Sequence, residues 1–118
     1  MSHSVESGDY LIFQLESAYG LLRVLAIDGK GADTVWHLLA YDEFFPDVES
    51  AEAVLAGGGP LSVRNAHMAL TDRAFERTPT ARLDNRPLTD EELAGYRAWL
   101  DSDRSVSDRS ALLMLGIR

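Results

Sequence analysis

Tyr10-Leu11-Ile12-Phe13-Gln14-Leu15, a polar break at Glu16-Ser17-Ala18, and Tyr19-Gly20-Leu21-Leu22-Arg23-Val24-Leu25-Ala26-Ile27 decide the fold. Both runs are rich in aromatic and branched side chains, which suit a pleated, half-buried strand. The break is too short for a crossover, so the two runs pair as an antiparallel hairpin. Apolar residues are nearly continuous in the second run, which predicts burial on both faces for part of its length.

Downstream, Asp28-Gly29-Lys30-Gly31-Ala32-Asp33 is a turn, with glycines for positive φ and aspartates that bond to nearby backbone. Thr34–Tyr41 then reads as a third strand of a meander. Its alternation puts Trp36, Leu38 and Ala40 on one face and Val35, His37, Leu39 and Tyr41 on the other. Asp42-Glu43-Phe44-Phe45-Pro46-Asp47 reads as a loop, with one phenylalanine plugging the end of the core. A short helix follows over Ser50–Ala56, begun at Asp47 or Ser50 and stopped by Gly57-Gly58-Gly59-Pro60. That glycine run lacks the Lys and Ser/Thr of a phosphate-binding loop and closes a helix rather than opening one.

Leu61–Arg64 and His67–Thr71 read as two short strands or one strand with a bulge, and Ala74–Arg77 as an extension of the second. Thr78–Pro87 is a polar connection with a short strand at Ala81-Arg82-Leu83. The sharpest local signal is Leu88-Thr89-Asp90-Glu91-Glu92-Leu93. Thr89 and Glu92 have capping-box spacing, and Leu88 and Leu93 have that of a hydrophobic staple. Acids in the first turn suit the positive end of the helix dipole. The spacing predicts a helix from Asp90 to Asp101 with Leu93, Tyr96, Trp99 and Leu100 on one face. Asp108–Gly116 reads as a last helix, with a terminal strand as the alternative.

Strands first and helices last indicate an α+β fold. The expectation is an antiparallel sheet, or a small half-open Src-homology-3-like barrel, from the N-terminal two thirds, with C-terminal helices packed on it. An open sheet with helices on one face is the runner-up. Residues 1–118 are expected to form a single domain, with 1–7 a mobile tail.

Composition narrows the function classes. With 46% hydrophobic and 25% charged residues, the chain can build a core and is not disordered. No apolar run approaches the roughly 20 residues of a membrane helix. Met1-Ser2-His3-Ser4-Val5-Glu6 lacks the basic and apolar regions of a signal peptide, so the expected location is cytoplasmic. The absence of cysteine excludes disulfides, thiolate metal sites and a cysteine nucleophile.

The net charge of −8 is unevenly spread. Residues 1–63 hold ten acids against two bases, and residues 64–118 hold nine of each. No base occurs between Lys30 and Arg64, while six acids do. Phosphate affinity comes from clustered Lys and Arg, so nucleic acid is an unfavourable partner. A partner of opposite sign is the alternative to a merely solubilising face.

Catalytic motifs are missing. His3, His37 and His67 show no His-x-x-x-His or Glu-x-x-His spacing. His37 and His67 could meet in space, with Asp42 or Glu43 completing a metal site, but a structural role is the simpler reading and no metal or cofactor is expected. No Gly-x-Ser-x-Gly elbow selects a serine, and the acids offer no defined pair. The expectation is therefore not an enzyme, with a small hydrolase or isomerase using His37 or His67 as a remote alternative.

Gly8-Asp9-Tyr10-Leu11-Ile12-Phe13-Gln14-Leu15 followed by Tyr19-Gly20-Leu21-Leu22-Arg23-Val24-Leu25 resembles the opening of the immunity protein 26 family. Members often begin with Gly-Asp and an apolar strand, then Tyr-Gly-x-x-Arg-Val. The resemblance covers roughly the first 30 residues. It implies a non-catalytic bacterial protein that binds and neutralises a toxin. The charge map fits a basic protein partner, with Asp42, Glu43, Phe44, Asp47, Glu49 and Glu52 as the contact residues. A self-associating accessory protein, dimerising through Leu112-Leu113-Met114-Leu115, is the second expectation.

Overall fold

A computed structural model describes residues 5–116. Its element order is β1 (Asp9–Leu15), β2 (Ala18–Asp28), a 3-10 turn at Gly31–Asp33, β3 (Val35–Phe45), α1 (Val48–Gly57), β4 (Val63–Thr71), α2 (Asp72–Glu76), β5 (Thr80–Asn85), α3 (Asp90–Leu100) and α4 (Ala111–Met114). The strands make one antiparallel sheet in the order β4-β3-β2-β1-β5. β4 and β5 lie at opposite edges and do not pair, so the sheet is open and the barrel alternative is not realised.

The continuous apolar run of β2 has the predicted cause: both faces of the sheet are covered. Leu11, Phe13, Leu22, Val24, Leu38, Ala40, Met68 and Leu70 face a core closed by Ala74 and Phe75 of α2 and Ala111 of α4. Tyr10, Ile12, Leu21, Leu25, Leu39 and Tyr41 face a second core closed by Ala51 and Leu55 of α1, with Leu93 and Tyr96 of α3 packed against it. Helices therefore cover both faces rather than one. The alternation expected along Trp36–Tyr41 is the division between these two cores.

Two close approaches fix the hairpin. A Cβ on Gly20 would lie 2.4 Å from the Phe13 ring across the β1–β2 pair, so only glycine fits there. At the far end, Gly8 donates its N–H to the Val24 carbonyl at 2.7 Å.

Several boundaries differ from expectation. Asp42–Phe45 is not a loop but the end of β3, because Tyr19 and Gly20 pair with Phe45 and Phe44 across a bulge. Val63–Thr71 is one strand with irregular register against β3. Ala74–Arg77 does not extend that strand: Thr71 caps Ala74 N–H and turns the chain into α2, so that Phe75 can stack on Trp36 at 4.0 Å. The connection before α3 carries a longer strand than expected, Thr80–Asn85. The terminal segment is helical but only over Ala111–Met114. Asp47 is the N-cap of α1, which ends on Gly58 at φ 66, and Thr89–Glu92 form the full capping box of α3.

Of the expected mobile tail, residues 1–4 lie outside the described residues, and His3 with them. Glu6 N–H donates to Asp9 Oδ2 at 2.8 Å, and Ser7 carbonyl accepts from Asn85 Nδ2 at 3.1 Å.

Candidate functional site

Three polar assemblies sit on or beside the α1/α3 face of the sheet. The first is built on Arg23, the lone charge in the apolar run of β2 and 1% exposed. Alternation within β2 points it at the linker before α3. Its Nε donates to Gly8 carbonyl at 3.0 Å and its Nη1 to Tyr10 Oη at 2.9 Å and Glu92 Oε2 at 2.5 Å. Its Nη2 donates to the Arg86 carbonyl at 2.8 Å, and the guanidinium lies 4.0 Å over the Tyr10 ring. A buried cation is tolerable only when its donors are satisfied in this way. Its role is to bind β1, β2 and α3 together, not to meet a ligand.

The second assembly is a chain of imidazoles. His37, fully buried, places Nε2 2.9 Å from Asp28 Oδ2 and Nδ1 2.9 Å from His67 Nε2. Tyr96 Oη donates to the same Asp28 oxygen at 3.1 Å, and Trp99 stands edge-on to His37 at 4.5 Å. A carboxylate only accepts, so neutral His37 carries its proton on Nε2 and its Nδ1 accepts. His67 must then donate from Nε2, which leaves its Nδ1 bare. Burial pushes the pKa of His37 down, against the pull of Asp28. Burial, then the neighbouring His37, pushes His67 down to about 4. The pair is therefore neutral at pH 7.

This corrects one expectation. His37 and His67 do meet, but their carboxylate is Asp28, not Asp42 or Glu43. The two nitrogens of His37 point to different partners, and among the described residues no group of three His, Asp or Glu side chains is arranged to hold a metal ion.

The third assembly is a cavity of about 490 Å³ between α1 and α3. Tyr10, Leu39 and Tyr41 floor it, Leu55 and Leu61 form one wall, and Glu91 and Glu92 the other. Burial raises the Tyr41 pKa to about 12, although Arg23 nearby opposes the shift, so the phenol keeps its proton.

The six residues expected to contact a partner are spread over the end of β3 and the outside of α1. Asp42 is exposed, with Arg64 Nη1 at 3.9 Å. Glu43 accepts the Ser62 N–H at 2.9 Å, and Asp47 accepts the Ser50 N–H at 2.8 Å. That bond lowers the Asp47 pKa. Phe45 is core and Phe44 is 38% exposed, so the aromatic pair divides as the strand alternates. Glu49 and Glu52 are exposed on α1.

Arg23, Tyr10 and Asp28 are not singled out as site residues by sequence, and Glu92 only as half of a capping box. Arg23 alone had a usable signal, a single charge inside nine otherwise apolar or small residues. No family model matches the chain, no curated protein matches it, and no solved structure matches it. No helix among the described residues is long and apolar enough to cross a membrane.

Proposed function

We propose that this is a non-catalytic binding protein whose acidic face engages a basic protein, in the manner of a toxin-neutralising immunity protein. One observation carries the reading: exposed Phe44 lies beside exposed Asp42 at the end of β3, and the chain runs directly from there into α1 with Glu49 and Glu52 exposed. This is an aromatic anchor in a negative field, on a stretch with no base from Gly31 to Val63. Glu43 and Asp47 hold local backbone, so they shape the face and contribute charge rather than direct contacts.

The test is recovery of a partner from lysate of the native host by wild type and by the triple variant Asp42→Asn, Glu49→Gln, Glu52→Gln. Capture that weakens in the variant and at higher salt supports the reading. Equal recovery by both proteins sinks the proposed surface. The self-association alternative draws on Leu113, 58% exposed on α4, and a strict monomer by light scattering at high concentration removes it.

A further inference from the structure

The cavity between α1 and α3 has a stretch of wall without side chains. The chain leaves α1 through Gly57-Gly58-Gly59, a Cβ on Gly58 would meet nothing within 4 Å, and β4 contributes Val63 and Ala66. At about 490 Å³ it is in the range of small-molecule sites, which are mostly apolar with a few convergent polar groups.

Two phenols supply those groups. Tyr41 is 8% exposed, and its phenol sits within hydrogen-bonding reach of Arg23 and Tyr10. Tyr41 and Tyr10 both line the cavity. Tyr10 Oη accepts from Arg23 Nη1, and a bond between the two phenols uses one of their two protons, so the other stays free and is polarised by the cation. The phenol pair therefore offers one donor to an acceptor oxygen.

Charge selects the ligand class. Arg23 beside the phenols disfavours a cation at the floor. Glu91 and Glu92 at the wall disfavour an anion, and the one other charged lining residue, Arg86, is already bonded to Asp84 at 3.0 Å. We infer that the cavity is a binding site for a small uncharged organic molecule with an apolar body and a carbonyl oxygen, which accepts from the Tyr10–Tyr41 phenol pair while the body lies against Leu39, Leu55 and Leu61.

Benzamide, benzoate and benzylamine are a neutral, an anionic and a cationic probe of one size. Titration of each into the ¹⁵N-labelled full chain reads the site through the amides of Gly58, Gly59 and Ala66. Benzamide is expected to give saturable shifts there below roughly 10 mM, with affinity at least about fivefold lower in Tyr41→Phe. Ala66→Phe, which fills the cavity from its rim, should abolish the shifts without needing the phenol changed. No saturation with benzamide, stronger binding of benzoate or benzylamine, or unchanged affinity in both variants overturns the assignment.

Discussion

Glu92 of α3 holds two positions at once: its Oε1 accepts the Thr89 N–H at 2.8 Å in the capping box, and its Oε2 receives Arg23 Nη1 from the middle of the sheet. The residue that starts the helix is thus also the one that docks it. Glu92→Gln keeps the cap but removes the ion pair, and Thr89→Ala removes part of the cap but keeps the pair. The cap alone is worth about 1 kcal/mol. Leaving Arg23 buried without its counter-charge costs about 3–5 kcal/mol. Urea denaturation should therefore rank Glu92→Gln well below Thr89→Ala, and equal losses would show the pair to be unimportant.

The imidazole chain makes stability depend on pH. His37 and His67 have folded pKa values below the usual 6.5, with His67 at about 4. Between those values the unfolded chain binds protons that the folded chain refuses, so stability is full above about pH 6.5 and falls as pH drops toward 4. The loss should be about 1–3 kcal/mol for the pair. Unfolding free energies at pH 7 and pH 5 check the slope, and His67→Gln should flatten it. An unaltered slope in that variant would assign the effect to carboxylates elsewhere.

Gly20 and Phe13 predict a specific rescue. Gly20→Ala drives a methyl into the Phe13 ring and should cost about 1–3 kcal/mol. Phe13→Leu costs stability by itself, but the double variant should lose less than the sum of the two. Thermal unfolding of the four proteins gives the coupling, and strict additivity would contradict the contact.

Asp47 separates folding from binding on the acidic face. Asp47→Ala should cost about 1 kcal/mol by uncapping α1. Glu49→Gln and Glu52→Gln, whose side chains are exposed, should change stability by less than about 0.5 kcal/mol. Calorimetry on the three variants checks this, and it decides which of them are clean probes of a partner.

Local chemistry was legible in the sequence. The hairpin, the α3 capping box, the glycine stop of α1 and the two-faced burial of β2 each follow from neighbouring residues, whose effects reach only a few positions. The same holds for the uneven charge, which is a count. Where the expectation failed, a distant partner had intervened. Asp42–Phe45 extends as strand because β2 is there to pair with it, and Ala74–Arg77 coils because Phe75 finds Trp36.

The sequence by itself determined an α+β chain with an antiparallel hairpin and its net charge in the first half. Only the tertiary structure decided which helices cover each sheet face, that His37 takes Asp28 and His67 as partners, that Arg23 meets Glu92, and that a cavity opens over Tyr10 and Tyr41. The reason is physical. Backbone propensity and capping act within one or two turns, whereas burial, ion pairing and cavity shape depend on residues as far apart as the 69 positions between Arg23 and Glu92.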